Sequence, residues 1–220
     1  MSAPAKIRPL PALAIGEGVS RAIAVKDRYA YLTADKFGLY VVDLAGASGL
    51  AIAGSLKMPG FSYGLAVENG FAYVANSDTG LQIVEVGDPS APKHVGSLKI
   101  DGEAYGVAVR NGWAFVAAGE EGFLTVDVSK PEAPRLAGSL ETGDFAYAVV
   151  LDGAFAYVAD GAGGVRMIDI SDPARPKTAA VFDTPGDAQS LVLTGSGILV
   201  ADSYSLIVLR PLHPPARRTP

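Results

Sequence analysis

Carboxylates recur through this chain at a fixed interval. Asp43, Glu85, Asp127 and Asp169 are successive steps of 42 residues, and so are Ala34, Asn76, Ala118, Asp160 and Asp202. Carboxylates brought together can serve as general acid and base or ligate a divalent cation. The first series offers little of that chemistry. Its members stand in equivalent places of different repeats, before S/G-x-P turns, where a carboxylate is expected to accept backbone N–H groups. Asp160 and Asp202 are the pair left for binding or reactive work. A further series reads Arg21, Tyr63, Tyr105, Tyr147 and Gln189, again at intervals of 42. Tyrosine joins a large apolar ring to a polar hydroxyl and suits both core edges and binding surfaces. Other chemistries lack their residues. The chain has no cysteine, which removes disulfides, thiolate metal sites and a Cys nucleophile. Its two histidines are His94, on an expected outer strand, and His213 near the end. No H-x-x-x-H, Walker loop or G-x-S-x-G occurs. "GAGG" (161–164) and "TGSG" (194–197) read as hairpin turns rather than phosphate cradles, because no helix follows either.

The elements that must position these residues follow the same period. Val25, Val67, Val109, Leu151 and Leu193 keep the step of 42, as do Gly38, Gly80, Gly122 and Gly164. In the second copy, "YGLAV" (63–67), "FAYVA" (71–75), "LQIVEV" (81–86) and "KHVGSLK" (93–99) are short segments parted by turn residues. Asn69-Gly70 and Asn111-Gly112 are strong hairpin signals, and Asp152-Gly153 serves the same purpose. No stretch sustains a helical period. Each copy therefore reads as a four-stranded antiparallel meander, A to D. A solenoid would use shorter coils without internal hairpins. A propeller blade buries both faces against its neighbours, which accounts for near-continuous apolar runs such as "AYVA" and "IVEV". The fifth copy loses one residue near Tyr204, and after Arg210 only "PLHPPARRTP" remains, too proline-rich for a central strand. "PALAIGE" (11–17) stands where a D strand would precede the first A strand. The expectation is an all-β, five-bladed propeller spanning residues 1–210, closed by an N-terminal strand that completes the last blade. A Pro/Arg-rich tail, 211–220, follows it.

The C strands "LYVVD" (39–43), "LQIVE" (81–85), "FLTVD" (123–127) and "VRMID" (165–169), with the following "VSKPEAP" and "ISDPARP", resemble LVIVD-repeat proteins. The resemblance covers nearly the whole chain. It implies a propeller of a kind often found in bacterial and archaeal surface or exported proteins, hence an extracytoplasmic or cell-surface setting. It implies no established catalytic residues, because the repeat defines a scaffold. The fifth copy departs from it, with Arg210 in place of the acid and no S-x-P turn, which suits a terminal blade.

Charge narrows the function. A net charge of −5 and a pI near 5.0 argue against a nucleic-acid partner. Pro9 and Pro11 interrupt the N-terminal stretch, so no signal peptide is expected, which taken alone points to the cytoplasm. The longest apolar runs are far too short for membrane insertion. In a meander, the D–A connections and B–C turns share one rim. That rim collects Glu17, Asp35, Asp78, Asp101, Glu103, Glu120, Glu121, Asp144, Asp160, Asp187 and Asp202, against only Arg21 and Lys36. The expected function is a non-enzymatic scaffold, or a module of a larger assembly. It would bind a protein partner with a basic surface through this acidic, Tyr-lined face. Arg21, Tyr63, Tyr105, Tyr147, Gln189, Asp160 and Asp202 are the candidate binding residues, with Arg21 and Gln189 neighbours once the ring closes. No cofactor is called for, although a divalent cation bridging the rim would suit its charge. The competing reading is a hydrolase or lyase with a carboxylate or metal site at the channel mouth, using Asp160 and Asp202. A lectin with one site per blade is disfavoured, because the B–C turns "DKF", "SDT", "GEE", "GAG" and "SYS" all differ. The proline-rich tail has no place in the ring. Removing residues 212–220 is expected to leave the thermal midpoint unchanged, and a substantial drop would show that the tail packs on the propeller.

Overall fold

The two-residue turns behave as their sequences require. Asn69 and Gly70 take φ of 51° and 80°, and Asn111 and Gly112 take 54° and 77°. Positive φ at both central positions is what lets a tight turn match the twist of its flanking strands. The computed structural model describes residues 12–15, 18–46 and 49–210. Blade one comprises β1 (Ser20–Lys26), β2 (Tyr29–Ala34), β3 (Gly38–Gly46) and β4 (Gly49–Leu56). Blade two comprises β5 (Ser62–Glu68), β6 (Phe71–Asn76), β7 (Gly80–Glu85) and β8 (Lys93–Leu98). Blade three comprises β9 (Gly106–Arg110), β10 (Trp113–Ala117), β11 (Phe123–Asp127) and β12 (Arg135–Leu140). Blade four comprises β13 (Ala148–Asp152), β14 (Phe155–Ala159), β15 (Val165–Asp169) and β16 (Lys177–Phe182). Blade five comprises β17 (Ala188–Thr194), β18 (Gly197–Asp202) and β19 (Ser205–Leu209). Every sheet is an antiparallel meander in chain order. Among the described residues the only helical piece is a 3₁₀ turn at Asp35–Phe37.

The blades stand as a five-bladed propeller with the A strands innermost, β1 against β5, β5 against β9, β9 against β13 and β13 against β17. Four apolar cores lie between successive blades. Tyr31, Leu39 and Val41 of blade one meet Ala72, Val74 and Val84 of blade two. Tyr73, Leu81 and Ile83 then meet Ala114, Leu124 and Val126. Phe115 and Phe123 meet Val149, Ala156 and Ile168, and Tyr157 and Val165 meet Leu191, Ile198 and Val200. Tyr31, Tyr73, Phe115 and Tyr157 occupy one repeat position and project from the B strand into the next blade. All four are buried. Burying each large side chain contributes about 1.5–3 kcal/mol.

The outer strands add a steric fit. Each C–D ladder shifts register at the same repeat position, between Val41/Val42, Ile83/Val84, Thr125/Val126 and Met167/Ile168, and blade one shifts again between Asp43 and Gly46. Beside that bulge the D strand carries Gly54, Gly96, Gly138 and, in blade four, Ala180. Each of the three glycines faces the S-x-P turn of the following blade. A Cβ on Gly54 or Gly96 would collide with the carbonyl of Pro89 or Pro131, and one on Gly138 would lie 2.9 Å from the Ala174 carbonyl and from Pro176. Blade five has no S-x-P turn, and there the glycine gives way to alanine.

The end of the chain differs from the expectation in one respect. Blade five has three strands among the described residues. Of the expected closing strand 11–17, residues 11, 16 and 17 lie outside the described residues, as does the tail 211–220. Residues 12–15 alternate between exposed and half-buried but join no ladder. Pro11 ahead of them lacks an N–H, and Gly16 and Gly18 behind them weaken a strand, so little ladder is available to hold them.

The glycine fit makes a prediction. Gly96→Ala is expected to destabilise the fold by about 1–3 kcal/mol, the usual range for overpacking. Chemical denaturation measures it. The reverse change in blade four, Ala180→Gly, should cost no more than about 1 kcal/mol, the backbone-entropy penalty alone. Equal effects at the two positions would overturn the assignment.

Candidate functional site

The A strands begin at the rim, and Tyr63, Tyr105 and Tyr147 stand at or just before their heads. Tyr63 and Tyr105 stack with ring centroids 5.1 Å apart, and Tyr105 meets Tyr147 edge-on at 5.9 Å. Phe145 fills the angle, 4.9 Å from Tyr105 and 4.7 Å from Tyr147. At the other end the Arg21 guanidinium lies over the Tyr63 ring at 5.5 Å, fixed by a 2.7 Å ion pair with Asp35. The result is a continuous band, Arg21–Tyr63–Tyr105–Phe145–Tyr147, running across blades one to four. Its aromatic members are half-buried and Arg21 is exposed. The Tyr105 hydroxyl donates to Glu103. Burial and that carboxylate push the phenol far above its ordinary range, so it stays a protonated donor.

Backbone latches hold the strand heads in place. The B–C turn of each middle blade bonds the A-strand head of the next: Ala104 N–H donates to Ser77 O (3.0 Å), Ala146 N–H to Gly119 O (3.0 Å) and Ala188 N–H to Gly161 O (2.9 Å). These cross-blade bridges tie the loops and the aromatic band into one frame.

The remaining candidates sit apart from the band. Gln189 is exposed, donates to Ser203 Oγ at 3.4 Å, and is not joined to Arg21. Asp160 is fully buried and accepts Arg166 Nη2 at 3.2 Å. Burial pushes its carboxyl up, opposed by Thr142 and Arg166. Asp202 is buried too, and its Oδ2 accepts from Gly186 N–H (3.0 Å) and Ser205 Oγ (3.2 Å). Asn76 at the same repeat position donates to Ser62 Oγ at 3.0 Å and accepts from Thr79 Oγ1 at 2.6 Å. This position ties the D–A connection to the B–C turn. On the opposite rim, Asp43, Asp127 and Asp169 accept the N–H two residues on, at 2.8–2.9 Å, as expected. In blade two it is Asp88, not Glu85, that accepts such a bond, from Ser90 N–H at 2.9 Å.

Charge on the aromatic rim is more divided than the sequence suggested. The last residue of the D segment reads Lys57, Lys99, Glu141 and Asp183 through the repeats. Lys57 and Lys99 line a 670 Å³ cleft with Asp78, Gln82 and His94. Glu120, Glu121, Glu141 and Asp144 line a second cleft of 410 Å³. Blade two is thus mixed, and the acidic character concentrates on blades three and four, beside Tyr105, Phe145 and Tyr147. Phe145, Lys57 and Lys99 escaped the sequence reading. The 42-residue register marks the two lysines, and it also marks Phe145, which repeats Phe61 two copies earlier with Glu103 between them. Among the described residues no group of three or more His, Cys, Asp or Glu is arranged to hold a metal, and no helix is long and apolar enough to cross a membrane.

Comparison with known proteins agrees with this architecture. The LVIVD repeat model matches residues 17–57, 59–99, 101–142 and 143–184. No curated protein matches the chain. Among solved structures it resembles the computationally designed Ika8 protein, with 11% identity, TM-score 0.71 and coverage of 87% of this chain and 58% of that one. A functionally unknown protein from Desulfotomaculum acetoxidans DSM 771 matches at 13% identity and TM-score 0.68, covering 87% and 69%. The β-propeller domain of Cps50 (Swd1) from Myceliophteria thermophila matches at 16% identity and TM-score 0.65, covering 86% and 64%. These likenesses show the fold. The chain spans about six to seven tenths of each of these proteins.

The turn carboxylates set an acid limit. The serine N–H and hydroxyl donors hold Asp88, Asp127 and Asp169 below the ordinary carboxylate range, and Arg28 and Arg175 do the same for Asp43 and Asp172. A depressed folded pKa contributes stability that is present above the unfolded value, about 3.9, and lost as pH falls through the folded value. Asp160, raised instead, has the opposite sign and is outnumbered. The thermal midpoint is expected to hold from neutrality to about pH 5 and to decline progressively below about pH 4. A midpoint unchanged down to about pH 2 would overturn this account.

Proposed function

The chain belongs to the LVIVD-repeat family, and from that premise we propose that it is a non-enzymatic propeller scaffold that docks a protein partner on its Tyr-lined rim. The aromatic band carries the reading. Rings already stacked on one another lose little freedom when a partner arrives, so their contact area converts efficiently into affinity. Tyr63, Tyr105 and Tyr147 supply that area, with Phe145 wedged between the last two. Glu103, Glu120, Glu121, Glu141 and Asp144 flank one end of the band, so the partner carries basic residues there. Arg21 and Asp35 frame the other end. Gln189 is open to contact, whereas the buried Asp160 and Asp202 act by holding the loops. The family resemblance supports a place in a larger, cell-surface assembly.

The test compares wild type with a variant carrying Tyr63→Ala, Tyr105→Ala and Tyr147→Ala, checked for an unchanged fold. Proteins retrieved from a lysate by wild type are expected to dissociate at least about tenfold faster from the variant, because interface substitutions act mainly on off-rate. Binding should also weaken as salt rises past physiological strength, since exposed charges are screened beyond about 8 Å. Retention of the same proteins with the same affinity by a folded variant would remove this rim from consideration.

A further inference from the structure

The two end blades leave open the faces that the other blades bury. At one A-strand position, Val107, Val149 and Leu191 are 8%, 7% and 6% exposed, because each packs on the blade before it. The same position in blade one is Ile23, and it is 65% exposed. Val25, two residues on and therefore on the same face, is exposed as well, and so is Ile52 at the other end of the row Val25–Ala30–Val42–Ile52, while Ala30 and Val42 in the middle of that row are buried. Blade five shows the complementary defect. The ladder aligns Val192 with Leu199 and Leu199 with Val208, placing all three on the face turned away from blade four. Val192 is 57% and Val208 50% exposed, and Leu206 beside them is exposed too. The residues matching Leu199 are Tyr31, Tyr73, Phe115 and Tyr157, all buried against a following blade. Among the described residues β17 does not pack on β1 as the other A strands pack on one another.

One chain therefore carries both halves of an interface that it builds four times internally. The leading face of blade five is made to receive a trailing face, and blade one presents a trailing face of the same repeat. The pairing is apolar, with Ile23, Val25 and Ile52 on one side and Val192, Leu206 and Val208 on the other. We propose that copies of this chain associate head to tail, the leading face of blade five on one copy docking against the trailing face of blade one on another. Such a contact is heterologous, so two copies with matching curvature close a ring and others extend a chain of arcs. These faces are distinct from the aromatic rim, so this assembly stands or falls independently of partner docking there.

The test uses the full chain, whose mass is 22.6 kDa. Light scattering after size exclusion is expected to give at least twice that mass for wild type, decreasing on dilution over about a hundredfold range. Ile23→Asp removes the trailing face and Val192→Asp with Val208→Asp removes the leading face. Each variant alone should run as a single chain with an unchanged thermal midpoint, because the altered side chains are exposed in the free chain. Mixed together, the two variants should form a one-to-one pair through the single interface left intact. The Tyr-to-Ala rim variant should associate like wild type. A wild-type mass that stays at one chain overturns the proposal. So does an Ile23→Asp variant that still self-associates, or a mixture that does not pair.

Discussion

Every blade of this chain carries apolar side chains on both faces of its sheet, so no blade can be buried alone. Stacking is the only arrangement that removes both faces from water, and the hydrophobic effect supplies the drive. The aromatic side chain at Tyr31, Tyr73, Phe115 and Tyr157 is where this is felt most strongly. Each sits on a B strand and is buried only because the next blade is present. The glycines at Gly54, Gly96 and Gly138 answer the same demand at the periphery, giving up a side chain so that the next blade's turn can approach. Among the described residues the same demand goes unmet at Ile23 and Val192, on the outer faces of blades one and five.

Stacking also builds the candidate site. Because the blades are copies, whatever stands at the head of one A strand is repeated on the next, a blade's width away. Three tyrosines in equivalent places become a stack rather than three scattered residues, with Phe145 filling the remaining angle. The cross-blade backbone bridges keep that stack rigid, since strand heads and B–C turns are held by the same bonds. Divergence then falls on positions that the stacking does not constrain. Lys57 and Lys99 in early repeats, against Glu141 and Asp183 in later ones, give the rim a graded charge on a uniform frame.

By itself the sequence determined the number of blades, their four-strand pattern, the hairpin turns and the equivalence of Tyr63, Tyr105 and Tyr147. All of these follow from a period of 42 residues and from local turn chemistry, which need no knowledge of what lies across an interface. The backbone-accepting role of Asp43, Asp127 and Asp169 was legible for the same reason, being set within three residues. Other features were decided only by the tertiary structure. Phe145 joins the tyrosines because a D–A connection brings it there, whereas Phe61 at the same repeat position is exposed. Asp160 and Asp202 look like free carboxylates in the sequence, yet burial and loop contacts turn them inward. Whether blade five meets blade one depends on the curvature accumulated over four interfaces. No single repeat encodes that angle, because it arises from how side chains of different size settle between neighbouring sheets.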